Sequence, residues 1–187
     1  MERSISMRDT KIHLNTINNN IKELRKNIKE GYSVNSIGEY ASTPLHYACR
    51  EGNFEMVKFL IDNGADVNSK NNYSTIYPIF DVITSINNQK NSFEILQLLI
   101  SKGADINSVD SFGNTLLYHA VEQENIALIK LLIQLGCDIN HCSRHDKDSV
   151  LHYAYFQKNR EIISLLINNG VNRKKLNIYN RTAESYL

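Results

Sequence analysis

Tryptophan is absent from this chain, and proline (two residues), cysteine (three) and glycine (eight) are scarce for 187 residues. Each shortage excludes something. Three cysteines, an odd number, make no disulfide framework and fit a reducing compartment. So few glycines leave no P-loop and no G-x-G-x-x-G, and no G-x-S-x-G is present either, so no cofactor is implied. Charge of one sign is lacking too. Lys+Arg number 21 and Asp+Glu 20, a formal net charge of +1. A phosphate-backbone binder shows a basic excess, so no nucleic-acid partner is expected. No stretch approaches about eighteen consecutive apolar residues, so neither a transmembrane helix nor a membrane partner is expected. The opening MERSISMRDTKIHLN has no apolar run after its charges, so no secretory signal is expected.

What is present repeats itself. Gly31, Gly64, Gly103, Gly136 and Gly170 open the words GYSVN, GADVN, GADIN, GCDIN and GVNRK, at spacings of 33, 39, 33 and 34 residues. A second word stands 21 residues before three of these glycines: TPLHYA from Thr43, TLLYHA from Thr115 and SVLHYA from Ser149. Between them lies a third, FEMVKFLIDNG and its counterparts FEILQLLISKG, IALIKLLIQLG and EIISLLINNG. A period of about 33 residues is the mark of a stacked-repeat architecture.

Local physics gives each unit its form. Thr43 is a good N-cap, and Pro44 sits where its missing N–H costs nothing. Leu45 and Ala48 supply an apolar stripe with a small residue at the close approach. Gly52 ends the first helix, and the run from Phe54 to Ile61 has the apolar spacing of a second. Gly64 then supplies a left-handed cap. Such a hairpin cannot bury its apolar faces alone, so neighbours must stack into an all-α solenoid. Helix pairs are predicted near residues 9–30, 44–63, 76–102, 116–135 and 150–169. A partial unit opens at Thr182.

Three words in fixed order resemble the ankyrin repeat, whose signature runs T-P-L-H-x-A, a second helix, then G-A-D-V-N. The resemblance covers the chain from about residue 9. It implies one ankyrin-repeat domain over 1–187, with repeats near 9–35, 36–68, 69–107, 108–140 and 141–174 and a partial one at 175–187. It also implies that His46 and His152 hydrogen-bond their threonine or serine and the loop backbone. Asn68, Asn107 and Asn140 resemble the acceptors of asparagine hydroxylases in other ankyrin proteins.

The chain departs from this pattern in places. The first pair shows no T-P-L-H word, and its charged second helix, IKELRKNIKEG, reads as a solvent-facing terminal cap. Around Ile83 to Ser92 an insertion stretches the period to 39 residues. It lengthens the first helix or bulges the loop, either as a neutral surface feature or as a contact for a partner. At the C-terminus about one helical turn remains, marginal alone.

For chemistry, only Cys137, His141, Cys142 and His145 cluster like metal ligands, and their spacing matches no standard zinc pattern. No metal site and no catalytic residue is assigned, so no enzyme is expected. Cys49 and Cys137 replace small alanines and read as packing residues.

The loops are the informative surface. The resemblance implies a row of projecting fingers that form a concave face with the first helices. Aligning the loops places Tyr40, Tyr73, Phe112, His145 and Tyr179 at the tips, as partner anchors or as packing between fingers. Arg50, Glu51, Glu122, Gln123, Phe156 and Gln157 follow the first helices on the concave side, with Phe156 a partner hot spot or a brace for the C-terminal end. The expected function is a non-enzymatic module that binds another protein, monomeric when unbound and cytoplasmic, or in a host cytosol if delivered. Abundant Asn, Ile and Lys suggest an AT-rich genome. The module is then a microbial or viral host-interaction factor, or alternatively an immunity protein that neutralises a cognate toxin. A metal-dependent module would rest on the Cys/His cluster alone.

Overall fold

The computed structural model describes residues 7–38, 41–71, 76–84 and 91–186. Among them run five helix pairs. They are α1 (Met7–Ile17) with α2 (Ile21–Lys29), α3 (Pro44–Arg50) with α4 (Phe54–Asp62), and α5 (Pro78–Thr84) with α6 (Ser92–Ser101). Then come α7 (Leu116–Glu122) with α8 (Ile126–Gln134), and α9 (Val150–Phe156) with α10 (Arg160–Asn168). A 3-10 turn, Ala183–Tyr186, follows. The sequence periodicity predicts these pairs, and the fold is all-α. Within the insertion, α5 is followed to Thr84 and α6 begins at Ser92; residues 85–90 lie outside the described residues.

The chain divides into two compact units, Met1–Asp105 and Ile106–Leu187. In the first, α3 packs against α1, α4 and α5, and α4 packs against α6. Ile12, Leu24, Leu45, Met56, Leu60, Ile79, Ile95 and Leu99 are wholly buried there. In the second, α7 packs on α8 and α9, and α9 on α10 and the 3-10 turn. Leu117, Leu128, Leu132, Leu151, Ile162 and Leu166 form its core. Each such side chain contributes about 1.5–3 kcal/mol by leaving water, which no single hairpin could arrange.

Gly64 shows how the second helices stop. It adopts φ +88°, and its N–H donates to Ile61 O while Ala65 N–H donates to Leu60 O. That is a Schellman cap, which satisfies carbonyls a helix end otherwise leaves bare. Gly31, Gly103, Gly136 and Gly170 close their helices with the same pair of bonds. At the other end of the second helices an asparagine does the capping. Asn20, Asn53, Asn125 and Asn159 accept from the backbone N–H three residues on.

Side chains also reach one repeat forward. Thr43 N–H donates to His46 Nδ1 at 3.1 Å, so Nδ1 accepts and the neutral ring carries its proton on Nε2. That nitrogen lies 3.1 Å from Ile76 O, in the next repeat. His152 repeats the arrangement, with Ser149 N at 3.2 Å and Arg181 O at 3.0 Å. The first pair departs from the expectation that it lacks this word. His13 Nε2 is 3.1 Å from Ser36 O, and Thr10-Lys11-Ile12-His13 stands 33 residues before Thr43-Pro44-Leu45-His46. A worn copy of the motif is therefore present and still joins its repeat to the next loop.

The asparagines of the DVN and DIN words form a second set of links. Asn68 Nδ2 donates to Gly103 O at 2.8 Å, and its Oδ1 accepts from Asp105 N–H at 3.1 Å. Asn35 makes the same two bonds, to Gly64 O and from Asp66 N–H. In the second unit Asn107 accepts from Asp138 N–H, and Asn140 from Asn172 N–H. Asp66 and Asp138 accept the N–H of Asn68 and Asn140 and so aim these amides.

Two outcomes follow from these links. Asn68→Ala should destabilise the protein by about 1 kcal/mol, a fall in melting temperature of about 2–4 °C; an unchanged melting curve would remove the linking role. Burial holds the His46 ring below its ordinary value of 6.5, Arg50 adds to this, and Asp81 and the Ile76 carbonyl oppose it. The folded state therefore takes up this proton less readily than the unfolded chain. The stability is fully present above the unfolded value and lost as pH falls through the folded one. Melting temperature should drop between pH 7 and 5, and His46→Asn should flatten that slope.

Candidate functional site

The second unit shows how the fingers are built. Val109 and Thr115 pair as an isolated antiparallel bridge. Between them Asp110 Oδ1 accepts from Phe112 N–H at 2.8 Å and Asn114 N–H at 2.9 Å. This local turn, which Asp and Asn favour because their short side chains mimic a backbone acceptor, presents Phe112 outward. Asn177 does the same in the last finger, accepting from Tyr179 and Arg181 N–H at 3.0 and 3.1 Å. The middle finger, bridged from Cys142 to Ser149, is one residue longer.

The three fingers are bonded side to side. Arg144 N–H donates to Phe112 O at 3.2 Å, and Ile178 N–H to Asp146 O at 2.9 Å. His141 Nε2 lies 2.9 Å from Gly113 O. The tips therefore stand on a fixed base. Phe112 is 62% and Tyr179 61% exposed, and His145 is exposed.

The helix face beside the fingers carries the other candidates. Phe156, the last residue of α9, is 64% exposed. Its ring centroid lies 6.1 Å from that of Tyr153 and 6.5 Å from that of Tyr186, while Tyr153 and Tyr118 are 4.9 Å apart. Tyr186 belongs to the 3-10 turn and also meets His152 edge-on, so the short C-terminal turn is seated on α9. Glu122 is half exposed and lies 3.2 Å from His119 Nδ1, whose Nε2 is 2.9 Å from Asp110 Oδ2. Gln157 Nε2 donates to Glu122 O at 3.1 Å. Gln123 is exposed and closes α7. The Tyr118 hydroxyl is pushed up to about 12, by burial first and then by Tyr153, Glu122, Asp148 and Asp146.

In the first unit Arg50 and Glu51 are exposed at the end of α3. The Arg50 guanidinium spends its charge within the fold. Its Nε and Nη2 reach Asp81 Oδ1 at 3.1 and 2.8 Å, and it lies over the Tyr47 ring. Burial pushes the Asp81 carboxyl up, and Arg50 opposes that. Tyr40 and Tyr73 lie outside the described residues.

Cys137, His141, Cys142 and His145 do not converge. No group of three or more His, Cys, Asp or Glu among the described residues could hold a metal ion. Burial pushes the Cys137 thiol up to about 11, assisted by Asp138, and raises Cys49 and Cys142 as well. Thiols held protonated in this way are poor ligands and poor nucleophiles at neutral pH.

Sequence reasoning passed over Tyr118, Tyr153 and Tyr186, which give Phe156 its neighbours, and the Asp110–His119–Glu122 series. Tyr118 stands in the histidine position of its repeat, a substitution visible in the sequence.

A family profile for ankyrin repeats in three copies matches residues 84–181, and a single-repeat profile matches 42–72. The chain belongs to the ankyrin-repeat family and is a protein-interaction module. It is 34% identical over 162 residues to an ankyrin repeat protein of Acanthamoeba polyphaga mimivirus, covering 87% of this chain and 16% of the viral protein. It is also 34% identical to palmitoyltransferase ZDHHC17 of Homo sapiens, covering 93% of this chain and 27% of that enzyme. That likeness is one of ankyrin repeats and carries no transferase chemistry. The ankyrin repeat domain of Bcl-3, a member of the IkappaB protein family, superposes with a TM-score of 0.84 at 25% identity, covering 94% of this chain and 76% of that one. The chain thus spans between about a sixth and about a quarter of the length of these two relatives.

The finger base can be tested at Gly113. It holds φ +82°, and a Cβ there would lie 2.7 Å from Arg144 Cβ and 2.9 Å from Arg144 N. Gly113→Ala should cost about 1–2 kcal/mol from the left-handed backbone alone. It should also speed amide exchange at Arg144. Unchanged melting and exchange would show that the fingers are not joined there.

Proposed function

We propose that this chain is a non-enzymatic binding scaffold, monomeric when unbound, that engages a protein of a host cell through its finger tips and the adjoining helix face. The observation that carries this is the exposure of Phe112, Tyr179 and Phe156, three large rings each more than 60% open to solvent on a hydrogen-bonded frame. Aromatic side chains bury much area for little lost side-chain freedom, which makes them frequent anchors of interfaces. A frame already ordered loses little entropy on association. An interface of ordinary size, about 1,600 Å² in total, is within reach of such a face.

The likeness to a viral ankyrin protein supports the host-directed reading over toxin neutralisation, for which no comparable observation speaks. On this reading the chain works in the cytoplasm or the host cytosol. Immobilised protein should retain a specific host protein, identified by mass spectrometry. The double variant Phe112→Ala/Tyr179→Ala should weaken that retention about tenfold or more while its melting temperature stays within a degree or two of the parent. Equal retention by parent and variant would overturn the proposal.

A further inference from the structure

The helix face of the second unit has a charge pattern that its aromatic rings alone do not reveal. Tyr118, Tyr153 and Phe156 form a continuous step, with successive centroids 4.9 and 6.1 Å apart. Phe156 is the open end, at 64% exposure, and Tyr153 is partly exposed. The charged groups that act on Tyr118 are Glu122, Asp148 and Asp146, and the one that acts on Tyr153 is Glu122. All carry the same sign. Glu122 stands at the last turn of α7, its side chain 47% exposed, four residues after Tyr118, just as Phe156 stands four residues after His152. The tip and base of the middle finger supply Asp146, which is exposed, and Asp148, whose Oδ1 accepts from Asn177 Nδ2 at 2.8 Å.

Aromatic faces are the negative pole of a ring quadrupole, and cations favour them most where nearby carboxylates deepen the potential. An acidic peptide would meet repulsion here. A purely apolar one would leave Glu122 and Asp146 to be covered without a partner, which is costly for a charge. A guanidinium matches both features at once, lying flat on a ring while its N–H fork meets a carboxylate.

We propose that the step of Tyr118, Tyr153 and Phe156, bordered by Glu122, Asp146 and Asp148, binds a basic segment of the partner protein, with an Arg or Lys side chain stacked on the open rings and paired to Glu122. This rests on the protein-binding reading above and specifies the chemistry of the partner at one part of the face. The finger tips Phe112 and Tyr179 lie outside the step and are available to control the two ideas separately.

The test is a selection of random twelve-residue peptides displayed on phage against the full chain, with binding of the recovered peptides then measured by titration of synthetic copies. Recovered sequences should be enriched in Arg or Lys beside apolar residues. Phe156→Ala should weaken their binding about tenfold. Glu122→Gln should weaken it several-fold and lessen its dependence on salt. Both variants should keep the parent melting temperature, since both side chains are open to solvent. Phe112→Ala/Tyr179→Ala should leave these peptides bound. Recovery of no sequence, of sequences without basic residues, or of basic sequences indifferent to both Phe156→Ala and Glu122→Gln would overturn the inference. If the host protein is still lost on Phe112→Ala/Tyr179→Ala in that case, the broader function survives without it.

Discussion

Everything in this fold depends on polar groups of one repeat being satisfied by the next. A helix pair of seven and nine residues, such as α3 with α4, is too short to hold itself together in water. Apolar burial brings neighbouring pairs together but is tolerant of sliding. The forward-reaching bonds are not. The His46 ring can donate to Ile76 O only if the second repeat sits at one height against the third, and Asn68 can meet both Gly103 O and Asp105 N–H only in the same register. Hydrophobic contact supplies most of the free energy, and these hydrogen bonds select the one arrangement that uses it.

The insertion in the third repeat shows how local this demand is. Six extra residues separate Gly64 from Gly103 compared with the 33-residue spacing elsewhere. Asn68 nevertheless bonds across that span as Asn35 does across the shorter one. Extra chain is accommodated because the linking groups lie at the ends of the repeat. Loop length is cheap in entropy once both ends are held.

The helix pairs, the glycine caps and the roles of His46 and His152 were legible in the sequence, because each depends on residues within a few positions of one another. The worn motif at His13 was harder to see. Proline is replaced by Lys11 and the following alanine by Asn15, so the word no longer reads as one, although its spacing to Gly31 is intact. The asparagine N-caps were also readable in principle but stand outside the conspicuous words. The long-range partnerships were not legible at all. Nothing local assigns Arg50 to Asp81, 31 residues away, so a residue expected to face a partner turns out to anchor α5 instead. The same holds for Phe156, whose exposure and ring neighbours follow from how α9 and the 3-10 turn meet.

The linking asparagines have one more consequence, for how the protein ages. Asn35 and Asn68 are each followed by serine, a small neighbour that in a flexible chain invites deamidation, in which the next backbone nitrogen attacks the side-chain carbonyl. Conversion to aspartate would replace the donor facing Gly64 O or Gly103 O with a charged acceptor and set like against like. In the folded protein the attacking nitrogens are occupied, since Ser36 N–H donates to Ser33 O and Ser69 N–H to Asp66 O, both at 3.2 Å. The turn that aims each amide at the next repeat thus also keeps it from its own chemical decay, and a repeat that frays open exposes the very bond that would keep it from closing again.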